Sequence, residues 1–74
     1  MKRDLGCVAD IVEAAKDIAD FLTGVTEEVF LGDKYARSAI IRQLEVIGEA
    51  TKRLSATFRE DHPSVPWRDM AGLR

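Results

Sequence analysis

Residues 5–22 read LGCVADIVEAAKDIADFL, and this stretch decides the fold. Its apolar residues Leu5, Val8, Val12, Ala15, Ala19 and Leu22 recur at alternating steps of three and four. That spacing is the seam of a helix lying lengthwise against another helix. A second stripe, Cys7, Ile11, Ala14, Ile18 and Phe21, runs beside the first, and the two together are expected to make a broad buried face, while Asp10, Glu13, Lys16, Asp17 and Asp20 keep the far side wet. Gly24 follows as the residue that tolerates positive φ at a helix end.

Downstream, Thr26-Glu27-Glu28 places a hydroxyl N-cap before acids in a first turn, with Val29, Phe30 and Leu31 as a short apolar plug closed by Gly32-Asp33. Ile40, Leu44, Ile47, Thr51, Leu54 and Phe58 then step four, three, four, three, four. The expected elements are a helix near residues 3–23, a short turn near 27–31 and a long helix near 34–60, the two long ones antiparallel. Gly48, mid-helix, costs about 1 kcal/mol against Ala and is expected to admit a close neighbour. Two prolines make 61–67 a loop, and Pro66 opens the start of a third helix at Trp67. The fold class is therefore all-α, an up-and-down bundle within a single domain, residues 1–74.

A chain of 74 residues is too short for a large two-layer enzyme, and at 46% hydrophobic and 32% charged it is too apolar to be disordered. No run free of Asp, Glu, Lys and Arg is long enough to span a bilayer, so no membrane partner and a cytoplasmic location are expected. One cysteine, Cys7, and one histidine leave no disulfide and no zinc site; Cys7 reads as a small buried hydrophobe. Two long helices with two apolar stripes each need more partners than one hairpin supplies. Self-association is expected, with Ile11, Ile18, Ile40 and Ile47 as candidates for burial between copies.

The net charge of −2 conceals an asymmetry. Residues 1–33 hold three basic residues against eight acids, and residues 34–74 eight against five, so the second half carries +3. Arg42, Arg53, Arg68 and Arg74 are the candidates for RNA contact there. His62 reads as a helix-terminal or solvent-exposed ring, and Trp67 as an anchor for the third helix, with stacking on a base as the alternative.

The phrase IIRQLEVIGEA at Ile40–Ala50, followed by Lys52-Arg53-Leu54, Pro63-Ser64-Val65-Pro66-Trp67-Arg68 and Ala71-Gly72-Leu73-Arg74, resembles the HepT-like toxins of the HEPN superfamily. Arg3-Asp4-Leu5, Leu22-Thr23-Gly24 and Phe30-Leu31 are also similar to that family. The resemblance implies a homodimer or higher homo-oligomer, a metal-independent RNA endonuclease with no cofactor, and a nucleotidyltransferase-fold antitoxin as partner. It also implies a catalytic motif of an Arg followed by a His and, one residue further on, a Tyr. Arg74 matches the motif Arg, and the His and Tyr have no counterpart in these residues. His62 precedes Arg74 and does not fill the place, and Arg53 and Arg59 stand at the wrong spacings to replace Arg74. Two readings follow: a ribonuclease toxin shortened before its general base and inactive as it stands, or a non-catalytic helical module for dimerisation or antitoxin binding.

Overall fold

The computed structural model describes residues 2–73, and Arg74, the candidate catalytic residue, lies outside them. Five helices follow in order: α1 (Lys2–Leu22), α2 (Glu27–Gly32), α3 (Lys34–Lys52), α4 (Ala56–Asp61) and α5 (Trp67–Ala71). No strand occurs among the described residues, so the all-α expectation holds. No helix among them is long and apolar enough to cross a membrane. The body measures 42 × 19 × 18 Å, which is two helices wide when each is about 10 Å across.

The helix boundaries have local causes. Gly24 takes φ 76°, the left-handed turn that releases the chain from α1. The Thr26 side chain accepts from Val29 N–H at 3.2 Å and starts α2. Asp33 ends α2 and begins α3, its carboxylate accepting from Tyr35 N–H at 2.9 Å and Ala36 N–H at 3.2 Å. Arg37 donates to the Leu31 carbonyl and ties α2 to the first turn of α3.

α1 and α3 pack antiparallel: Asp17 faces Gln43, whereas Arg3 reaches Arg53. The broad buried face expected on α1 is only partly formed: the second stripe is covered at Cys7, Ile11, Ala14 and Ile18, and Val8 of the first packs on the core, but Leu5, Val12 and Leu22 of the first stay 65, 51 and 40% exposed and Phe21 of the second 42%. Small side chains decide which part is covered. Cys7, Ala14, Ala36 and Ala50 are all buried and let the two backbones approach, and Val8, Ile11, Phe58 and Trp67 close round Cys7, Ala50 and Leu54. Of the isoleucines expected between copies, Ile47 is buried inside the chain and Ile11 packs against its core, which corrects the assignment for these two, while Ile18 and Ile40 are half-buried. Thr51, fully buried, satisfies its hydroxyl by donating to the Ile47 carbonyl at 2.8 Å.

The expected single helix over 34–60 is divided in two. α3 stops at Lys52, and Ser55 caps α4 by accepting from Phe58 N–H at 3.1 Å. The physical reason comes from α1. Asp4 accepts from both Ser55 N–H and Ser55 Oγ–H at 2.8 Å, so the backbone donor a continuous helix would send to Thr51 is diverted. The Arg53 carbonyl, which a continuous helix would offer to Thr57, is held by Arg3 Nε and Nη2 at 3.1 and 2.8 Å. Two of the backbone groups freed by the break are thus satisfied by α1.

α5 closes the far side of α3 at Gly48. A Cβ built there would lie 2.8 Å from the Leu73 carbonyl oxygen and 3.5 Å from those of Met70 and Ala71. The close neighbour anticipated for Gly48 is therefore the α5 backbone and the residues just after it.

Two outcomes follow. The two Ser55 hydrogen bonds, backbone first, hold the Asp4 carboxyl below the ordinary carboxylate range, so the stability it contributes is present at neutral pH and lost as pH falls through that lowered value. Asp4→Asn is expected to lower Tm at pH 7, with the difference from the parent narrowing below about pH 4; a pH-independent difference in thermal melts would contradict the assignment. Gly48→Ala gains about 1 kcal/mol of helix propensity, but a backbone oxygen at 2.8 Å must move, and overpacking of that kind costs about 1–3 kcal/mol. A net fall in Tm is expected, and a rise would mean that the 70–73 segment yields freely.

Candidate functional site

The 67–73 segment is held from three directions. Trp67 donates its Nε1–H to the His62 carbonyl at 2.9 Å, which folds the Pro63–Pro66 loop back on the end of α4. The indole meets the Phe58 ring edge-on, centroids 5.9 Å apart, and Phe58 also lies 4.7 Å from the His62 ring. Beyond the indole, Met70 and Ala71 are half-buried, with their carbonyls over Gly48. Trp67 is thus the anchor that its sequence position indicates. His62 ends α4, its N–H donating to the Arg59 carbonyl and its exposed ring lying against Phe58.

This geometry joins sequence blocks that stand far apart. Gly48 of the I-G-E-A block is the seat for the A-G-L segment, and Trp67 of the V-P-W block fixes the approach to it. Beside the seat, Glu45, Glu49 and Lys52 of α3 share a cleft with Ala71, Gly72 and Leu73. Lys52 is paired with Glu49 at 3.3 Å on the surface, a contact worth at most about 1 kcal/mol.

The candidate RNA-contacting arginines do not form one cluster. Arg42 and Arg53 line a shared groove along α3 with Glu45, Val46 and Glu49. Arg53 is also engaged with Asp10 of α1 at 3.6 Å, both side chains being about half exposed. With two carboxylates against two guanidiniums, that groove carries no net positive charge. Arg68 lies elsewhere, in a cleft between α4 and α5 with Ala56, Arg59, Glu60, Trp67 and Ala71. Arg59 is the member of this set that its sequence position concealed. Read against the catalytic motif alone it stands at the wrong spacing, whereas the turn through 62–66 brings it beside Arg68.

The structure also leaves large apolar side chains in water. Leu5, Val12, Phe21 and Leu22 on α1, with Tyr35 and Ile41 on α3, are each 40% exposed or more. Single exposed hydrophobes are ordinary, but Leu5, Val12 and Leu22 belong to one helical seam.

The chain matches known proteins along nearly all of its length. Residues 11–74 match the family described as Ribonuclease HepT-like. A Methanocaldococcus jannaschii protein named as an RNase, MJ1380, is 43% identical over 74 residues, covering 99% of this chain and 68% of that protein. A second protein of that organism named as an RNase, MJ0127, is 52% identical over 65 residues, covering 88% of this chain and 54% of its own length. The Thermococcus cleftensis protein named probable ribonuclease HepT is 46% identical over 65 residues, with coverages of 88% and 59%. The chain thus spans between about half and two thirds of the length of these relatives. No solved structure gives a significant match. With the G-E-A, V-P-W and A-G-L blocks brought to one face of α3 and a family match over residues 11–74, the chain belongs to the HepT-like ribonuclease family.

Proposed function

We propose that this chain is the Arg-bearing part of a metal-independent RNA endonuclease, the toxin of a HEPN/nucleotidyltransferase toxin-antitoxin system that acts in the cytoplasm. The observation that carries the reading is the match of residues 11–74 to the HepT-like ribonucleases; by the resemblance, Arg74 is taken as the motif Arg. In the proposed chemistry a guanidinium grips the scissile phosphate through charge-assisted hydrogen bonds while an imidazole moves the ribose 2′-hydroxyl proton. Arg74 supplies the first function. His62 does not supply the second, since it precedes Arg74 in the chain and its ring lies against Phe58 at the end of α4. A polypeptide limited to residues 1–74 therefore holds RNA, weakly and with strong dependence on salt, through Arg42, Arg53, Arg68 and Arg74, and does not cut it.

The second reading is a non-catalytic module for homo-oligomerisation or for binding a nucleotidyltransferase-fold antitoxin, and the Leu5, Val12, Leu22 seam favours it. Each such side chain is already partly covered, so moving the rest of it out of water returns only part of about 1.5–3 kcal/mol, and the seam contributes to association without supplying all of it.

Activity separates them. The test is RNA degradation in EDTA-containing buffer by the 1–74 chain, set beside the same chain extended with the downstream segment of the Thermococcus cleftensis relative. No cleavage above background is expected from the first, and cleavage is expected from the second. Cleavage by the short chain that disappears in His62→Ala would overturn the motif assignment. For the seam, sedimentation of the 1–74 chain at micromolar concentration is expected to show a dimer or larger species, and Val12→Glu to weaken it at least about ten-fold. A well-folded monomer at that concentration would contradict self-association.

A further inference from the structure

The cleft between α4 and α5 has a chemistry that no packing role uses up. Arg59 Nε is buried and has no hydrogen-bond partner among the described residues. A buried N–H left without an acceptor is costly, and a charged one more so. Neither Arg59 nor Arg68 makes an ion pair among the described residues, although Glu60 lines the same cleft. The third feature is Trp67. Its indole is fixed in orientation by the His62 carbonyl and the Phe58 edge, and it is half-buried in the cleft wall. Two guanidiniums without an ion-pair partner among the described residues, Arg68 exposed and Arg59 half-buried, beside a rigid aromatic ring is the composition that holds a nucleotide: planar forks for phosphate oxygens, and an indole against which an unpaired base stacks. The α3 groove is the weaker candidate, since Arg53 is already engaged with Asp10 and Glu45 and Glu49 line the same surface.

Building on the proposed RNA-binding function, we infer that this cleft is a subsite for one nucleotide of single-stranded RNA. The phosphodiester lies between Arg59 and Arg68, and the adjacent unpaired base stacks on Trp67. Glu60 at the cleft opposes the phosphate, which keeps the site weak and suited to a strand that must be released.

Trp67 is the one tryptophan of the chain, so its fluorescence reports on this cleft alone. The experiment titrates the 1–74 chain at low salt with a short single-stranded RNA, reading Trp67 fluorescence and, in parallel, anisotropy of labelled RNA. Duplex RNA and inorganic phosphate are run as further arms. Quenching that saturates together with the anisotropy is expected from the single strand only, with inorganic phosphate competing but not quenching. Arg59→Gln and Arg68→Gln should each weaken binding about ten-fold and reduce the salt slope by about one, while Glu60→Gln tightens it. Arg68 is exposed, so its variant carries the test if Arg59→Gln proves misfolded by circular dichroism. Anisotropy that rises without quenching and is indifferent to these substitutions would overturn the subsite and leave the RNA-binding reading standing. Equal quenching by duplex RNA would overturn base stacking, and no binding in anisotropy would overturn the RNA-binding reading itself.

Discussion

The Asp4 carboxylate is the group on which the arrangement of helices turns. It sits in the first turn of α1, buried, and takes both the backbone N–H and the hydroxyl of Ser55 at 2.8 Å. A carboxylate is acceptor-only and two well-aligned donors meet it, so burial is compensated where an isolated charge would not be. With Arg3 holding the Arg53 carbonyl, the start of α1 becomes a clamp on the elbow between α3 and α4. The elbow turns α4 away from the axis of α3. Without that turn Phe58, Arg59 and His62 would continue along α3, and the loop to Trp67 would have no platform to fold back on.

Close approach is the second constraint, and it follows from the first. The clamp sets the register between α1 and α3, and that register places Cys7 and Ala14 against a face of α3 that carries Ala36 and Ala50. Small residues on both sides let the helices meet with little side-chain bulk between them, so the buried set is made mostly of small atoms and the larger aliphatics lie at its margin. On another face of α3, Gly48 does the same for the backbone that follows α5. One helix is thereby packed on two faces, by a helix on one and by carbonyl oxygens on the other. This is why residues 70–73, the end of a five-residue helix and the two residues after it, are held in place at all.

The same architecture sorts the charges. The acids of α1 are drawn toward α3 at Asp10 and Asp17, where they meet Arg53 and Gln43. The excess positive charge of residues 34–74 is thereby diluted along α3, while Arg59 and Arg68, carried off the α3 axis by the elbow and the proline loop, keep theirs. Electrostatic capacity for a phosphate thus ends up where the fold is least regular, beside an aromatic ring that the fold holds rigid.

Much of this was legible in the residues themselves. The three-and-four spacing specifies the helices, and Gly24, Thr26 and Asp33 mark their ends, because capping and turn preferences are settled within a few residues of where they act. The family was legible from a combination of short blocks, and the Gly48 contact with residues 70–73 gives that combination its physical basis. Three things were not legible. The break at 53–55 lies inside an unbroken apolar period, and it is decided by Asp4, 51 residues away from Ser55. How much of each of two nearly equivalent stripes on α1 is buried depends on the register that the same contact imposes, and periodicity alone does not rank them. Arg59 became a candidate only when a loop returned Arg68 and Trp67 to its side. Local backbone preference is written in neighbouring residues and can be read from them. A choice between alternatives of similar local energy is made by contacts between distant residues, and only the folded chain brings those together.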